Sequence, residues 1–167
     1  LLGRIEFSLP NNDGDCFGTY VLSTLKGTWS IICNKKNLNA SGFLEWNNIK
    51  IMPKSFENLT NLISLYFSNN GLTNIIDNIG NLTELYNLDL GYNQIKIIPD
   101  SFAELTNLQY VWLFNNQIET LPNGFCNLNI NWSEMDAAWY PYFAIGGNQL
   151  CENIPECVVT SSHFEFS

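Results

Sequence analysis

Leu59-Thr60-Asn61-Leu62-Ile63-Ser64-Leu65-Tyr66-Phe67-Ser68-Asn69-Asn70 returns 23 residues later as Leu82-Thr83-Glu84-Leu85-Tyr86-Asn87-Leu88-Asp89-Leu90-Gly91-Tyr92-Asn93. It returns again after 23 more as Leu105-Thr106-Asn107-Leu108-Gln109-Tyr110-Val111-Trp112-Leu113-Phe114-Asn115-Asn116. The apolar positions and the final Asn keep register in all three copies, so the fold is a stack of similar turns. One turn cannot bury its apolar face alone, and stacking supplies a continuous core. Within each copy the pairs Leu65/Phe67, Leu88/Leu90 and Val111/Leu113 alternate as in a short strand and point inward. The Asn column, Asn47, Asn70, Asn93, Asn116 and Asn148, turns inward where the chain leaves the strand. An amide there both donates and accepts, and satisfies backbone groups whose burial unpaired costs about 1–3 kcal/mol each.

Working outward, Leu44, Asn47, Ile49, Met52-Pro53 and Phe56 precede Phe67, Asn70, Leu72, Ile75-Ile76 and Ile79 by 23 residues, which makes an earlier, weaker unit. A last unit runs Phe143-Ala144-Ile145-Gly146-Gly147-Asn148-Gln149-Leu150. Its Asn comes 32 residues after Asn116, so nine extra residues sit between Leu128 and Phe143. The pattern resembles leucine-rich repeats, L-x-x-L-x-L-x-x-N-x-L at a period of 20–29 residues. Ile98-Pro99-Asp100-Ser101-Phe102 and Leu121-Pro122-Asn123-Gly124-Phe125 are similar to the Pro-turn halves of 23-residue members. The resemblance implies an α/β-type solenoid, right-handed and curved, with a parallel β-sheet on its concave face, about five turns and a cap at each end. The expected division is an N-terminal cap over 1–40, repeats over 41–150 with an insertion at about 129–142, and a C-terminal cap and tail over 151–167.

Composition narrows the function classes. The 167 residues carry 7 Lys+Arg against 16 Asp+Glu, a net charge of −9, and only 14 % are charged where about 25 % is usual. Polarity comes from 25 Asn instead. The acid excess and the absence of any basic cluster argue against nucleic acid. No apolar run approaches the roughly 18 residues of a membrane helix, so no membrane span is expected in this chain. Leu1-Leu2-Gly3-Arg4 shows neither a Met start nor a signal pattern, which suggests a processed chain or a piece of a longer one.

The cysteines fall where caps belong. Gly27-Thr28-Trp29-Ser30-Ile31-Ile32-Cys33 resembles the end of a plant-type N-terminal cap, and Gly147-Asn148-Gln149-Leu150-Cys151 with Cys157 resembles the C-terminal one. The resemblance implies the pairs Cys16–Cys33 and Cys151–Cys157. Cys126 is then left over, with three fates open: to take one of the C-terminal pair, to stay a buried thiol, or to bond another chain. No metal site or cofactor is expected, since the one His, His163, lies in the tail. Four N-x-S/T sequons begin at Asn39, Asn58, Asn81 and Asn131. Asn58 and Asn81 share a register just before a buried Leu, off the strand face, whereas Asn39 falls on an inward position. Sequons and paired cysteines together indicate a secreted, extracellular protein of the eukaryotic secretory pathway.

Alternate strand residues face outward on the concave side. Their columns contain Phe43, Trp46, Tyr66, Asp89, Tyr92, Tyr110, Trp112, Phe114 and Tyr142, a concentration of aromatics suited to binding a protein or glycan partner. The competing reading is that aromatics simply cover the sheet's backbone. The insertion Trp132–Tyr142 is either a short helix closing the core or a partner-specific loop. No His stands beside a Ser or Cys on the scaffold, so the expected role is recognition without catalysis. The alternative is a structural subunit self-assembling into an extracellular filament, coat or matrix, and a third reading is an inhibitor of a secreted hydrolase, as in some plant members of the family.

Overall fold

In the computed structural model the described residues are 6–8, 40–45, 48–52 and 54–162, with 6–8 and 40–43 known through their strand pairing alone. Among the described residues six strands form one sheet in chain order: β1 (Glu6–Ser8), β2 (Ala40–Phe43), β3 (Leu62–Tyr66), β4 (Asn87–Asp89), β5 (Tyr110–Trp112) and β6 (Phe143–Ala144). β1 runs antiparallel to β2, and β2 to β6 run parallel. Register advances by the repeat: Leu65 pairs with Leu88 and Leu88 with Val111, while Tyr66 pairs with Asp89 and Asp89 with Trp112. The alternation read from the sequence therefore places its two side-chain sets on the expected faces.

Parallel neighbours need a crossover. Here it is made by short 3-10 segments on the opposite wall, at Lys54–Asn58, Ile79–Asn81, Asp100–Glu104 and Phe125–Asn127. Those at Asp100–Glu104 and Phe125–Asn127 follow a proline whose fixed φ starts the turn, and the Pro99 and Pro122 carbonyls accept from Phe102 and Phe125 N–H, each at 2.9 Å. Each segment drives one large apolar side chain, Phe56, Ile79, Phe102 or Phe125, into the space behind the sheet. The Phe102 and Phe125 rings stack 5.6 Å apart. Full burial of such a side chain contributes about 1.5–3 kcal/mol.

The Asn column is a shared hydrogen-bond ladder. Asn93 Oδ1 accepts from Leu72 N–H at 3.0 Å, and its Nδ2 donates to the carbonyls of Phe67 and Leu90, each at 3.0 Å. Asn116 repeats this with Ile95 N–H, Leu90 and Leu113, and Asn148 with Ile118 N–H, Leu113 and Ile145. Asn70 serves Ile49 N–H and the Leu44 carbonyl in the same way. Each amide thus ties its own turn to the one before it. Asn47 lies outside the described residues.

The residue before each ladder Asn is left-handed: Asn69, Tyr92, Asn115 and Gly147 have φ of 55°, 52°, 52° and 71°. Asn and Gly tolerate this region best, which gives a second use to the abundant Asn. Tyr92 is the exception in the column.

At the C-terminal end the cysteine pairing differs from the expected Cys151–Cys157. The bond joins Cys126 to Cys157 across 31 residues, and Cys151 is an exposed thiol. The cause is the path of the chain: α1 (Glu156–Val159) folds back under the last 3-10 segment, burying Val158 and carrying Cys157 to Cys126. Cys16 and Cys33 lie outside the described residues.

The insertion contains no helix. Trp132 packs its ring 5.8 Å from Phe125 and 4.9 Å from Phe143, closing the core beneath β6. The following residues form a loop pinched by a bridge between Met135 and Pro141. The expected short helix is absent: Trp132 closes the core from irregular backbone, and a loop follows it.

Candidate recognition face

The outward columns assemble as register dictates, but their exposure is uneven. Tyr66, Tyr110, Trp112, Phe114 and Tyr142 are half-buried, and among the expected binding aromatics whose exposure is described only Tyr92, at 51 %, is openly exposed. Asp89, expected at the surface, is 7 % exposed. Its Oδ1 accepts from Gly91 N–H at 2.9 Å, and its neighbours Ser64 and Ser68 are buried with it. Phe43 is placed by its backbone pairing with Tyr66, while Trp46 lies outside the described residues.

The aromatics protect one another. Tyr110 meets Tyr142 at 4.8 Å, Tyr86 at 6.0 Å and Trp112 at 6.1 Å between ring centroids. Phe114 lies edge-to-face with Tyr92 at 5.2 Å and covers Gly91, where an added Cβ would come 2.8 Å from its ring. Such contacts are worth about 0.5–1.5 kcal/mol each beyond area burial.

The loop over 134–142 completes this cluster. Asp136 Oδ1 accepts from Ala138 N–H at 2.8 Å and Tyr140 N–H at 3.0 Å, while Oδ2 accepts from the Tyr110 hydroxyl at 3.0 Å. Trp112 Nε1 donates to the Pro141 carbonyl at 2.8 Å. These bonds fix the loop to β5 at the concave side and hold Trp139 and Tyr140 outward, 82 % and 57 % exposed. Trp139 also has a left-handed φ of 67°, a strained setting for a bulky residue. Trp139, Tyr140 and Met135 fall outside the repeat columns because an insertion has no repeat register. The signal available was their concentration in a segment the other turns lack.

Electrostatics follow from the geometry. Hydrogen bonds from Tyr140 N–H, Tyr110 and Ala138 N–H hold the Asp136 carboxyl below the usual range, with the Tyr140 amide acting most strongly. Burial, then the Asp136 bond and charge, pushes the Tyr110 hydroxyl well above ordinary tyrosine. The Asp136 contribution is therefore present above the unfolded carboxyl value near 3.9 and is lost as pH falls through the depressed folded value. Asp136→Ala is expected to speed amide exchange at Ala138 and Tyr140 by at least about tenfold while the ladder amides stay protected. Unchanged exchange at both would mean that the carboxylate does not hold the loop.

Asp89 shifts the other way. Burial raises its carboxyl first, and Glu45 adds to the rise. Ser68 Oγ donates to Glu45 Oε1 at 3.1 Å. Across the molecule, Lys50 and Lys54 line a groove of about 250 Å³ with Ile51, Glu57 and Asp77, away from the concave columns.

The sequon residues Asn58, Asn81 and Asn131 are all exposed, the first two at the ends of consecutive 3-10 segments. Asn131 Nδ2 donates to Glu134 at 2.7 Å. Asn39 lies outside the described residues. Among the described residues no helix is long and apolar enough to cross a membrane, and no group of three metal-ligating side chains occurs.

The family described as "Leucine Rich repeats (2 copies)" matches residues 60–104 and 83–129. Among solved structures the chain is similar to the leucine-rich-repeat protein LIC12759 of Leptospira interrogans, with 28 % identity, a TM-score of 0.56, and coverage of 70 % of this chain and 27 % of that one. It is also similar to the plant peptide hormone receptor RGFR1 in complex with RGF2, with 30 % identity, a TM-score of 0.56, and coverage of 70 % and 18 %. The BIR3–SERK2 complex of Arabidopsis thaliana, 21 % identical, shares the fold over 89 % of this chain and 79 % of that one with a TM-score of 0.62. This chain spans under a third of the length of the first two. No curated protein sequence matches it. The fold is a leucine-rich-repeat solenoid.

Proposed function

We propose that the chain is a non-catalytic, extracellular recognition module that binds a protein partner through the C-terminal half of its concave face and the adjoining loop. The observation that carries this is the loop over 134–142, which is bonded to Tyr110 and Trp112 yet holds Trp139 and Tyr140 in solvent. Exposed, rigidly mounted Trp and Tyr are favoured binding anchors. The similar plant protein is described as a peptide hormone receptor, which supports a protein or peptide ligand over a glycan. The exposed sequons and the disulfide support secretion with glycans at Asn58, Asn81 and Asn131, and enzymatic deglycosylation of the native chain is expected to lower its mass. An unshifted mass would remove the glycan part of the proposal. Self-assembly through Cys126 is not supported, since that sulfur is taken up in an intrachain bond.

Tyr92 offers a direct test. It occupies the left-handed position that Asn69, Asn115 and Gly147 fill in other turns, at a cost of about 1–2 kcal/mol for an ordinary residue. Tyr92→Asn relieves that strain and loses the Phe114 ring contact, so stability is expected to stay within about 1 kcal/mol of wild type. Partner affinity is expected to fall by about tenfold or more, because an exposed Tyr leaves the face. Affinity unchanged by both Tyr92→Asn and the pair Tyr66→Ala with Trp112→Ala would exclude the concave face as the binding surface.

A further inference from the structure

The row Tyr66, Asp89, Trp112 crosses three adjacent strands in direct register, so one carboxyl stands between two aromatic side chains at a strand spacing of about 4.8 Å. The outward columns over 64–69, 87–92, 110–115 and 142–147 contain no Lys or Arg. The bases among the described residues, Lys50, Lys54 and Lys96, all lie on the segments that leave the sheet, two of them in the groove on the other wall. The face is thus acidic and aromatic together, within a chain of net charge −9.

We infer that the partner presents an extended, cationic segment to this face, with a Lys or Arg side chain lying across the Tyr66–Asp89–Trp112 row. This rests on the proposed recognition role and adds the chemistry of the ligand. A guanidinium or ammonium gains from both parts of the row: attraction to the carboxylate and cation–π contact with the rings. An acidic segment would meet Asp89 and Glu45 with like charge. An extended backbone suits the width available, since β3 to β6 span roughly 14 Å, the length of four to five extended residues. The loop at the far end supplies Tyr140 and Trp139 as an apolar stop beyond the cation. Holding Asp89 buried beside Glu45 disfavours its charged form, as its raised carboxyl reflects. A bound cation offsets that penalty.

The test is to pan a displayed random dodecapeptide library on the whole chain and to measure the selected peptides against wild type, Asp89→Asn and Trp112→Ala. Asp89→Asn keeps an acceptor for Gly91 N–H, and its fold is checked by thermal melting. Expected are peptides enriched in Lys or Arg, with affinity falling at least about tenfold for Asp89→Asn and weakening as salt rises. Peptides that bind through Trp112 but are neutral or acidic, or that ignore Asp89→Asn, overturn the cationic inference and leave the recognition face standing. Selected peptides whose affinity survives Trp112→Ala unchanged overturn both.

Discussion

Asn93→Ala is expected to lower the unfolding free energy by about 3 kcal/mol, seen as a fall of roughly 6–12 °C in melting temperature. The reason lies in what the amide leaves behind. Leu72 N–H is buried and has Asn93 Oδ1 as its partner, so it becomes an orphaned donor. The carbonyls suffer less, because Phe67 O is also reached by Asn70 and Leu90 O by Asn116. The ladder is shared, and its loss is felt mainly at one donor per turn. Asn107→Ala, which removes one exposed bond to the Thr83 carbonyl, is expected to cost less than about 1 kcal/mol. Equal effects from the two substitutions, measured by denaturant titration, would mean that the column does not hold the turns together.

Removing the disulfide with Cys126→Ser and Cys157→Ser is expected to cost about 3–4 kcal/mol, the chain entropy released from a loop of this size. The loss should centre on the C-terminal end, where α1 and Val158 close the solenoid below Phe125. Peptide mapping without reduction should recover Cys126 linked to Cys157, and Cys151 should alkylate readily in the native chain. A Cys151–Cys157 peptide, or a stability unchanged by the double substitution, would contradict this account of the lower end.

What the sequence disclosed depended on periodicity. The inward pairs, the Asn column and the outward rows all follow from a constant period of 23, because parallel strands in register convert sequence spacing directly into spatial columns. Exposure did not follow. Tyr110 and Trp112 face outward but are sheltered by a loop whose path no period describes, and Asp89 sits low in the face beside the buried Ser64 and Ser68. The partner of Cys157 was equally hidden, since it depends on α1 doubling back after Pro155, a tertiary path that cysteine spacing does not encode. Part of the surplus Asn found its reason only in backbone dihedrals, at Asn48, Asn69, Asn115 and Asn153.

The face and its loop form the central claim, and footprinting tests it most directly. A peptide selected on the whole chain would be bound and the complex exposed to hydroxyl radicals, with side-chain oxidation read by mass spectrometry. The account predicts protection of Tyr66, Tyr92, Trp139 and Tyr140 together, with Ile51 and Ile97 oxidised as in the free chain. Protection confined to Ile51 and Ile97, with Trp139 and Tyr140 still reactive, would contradict it.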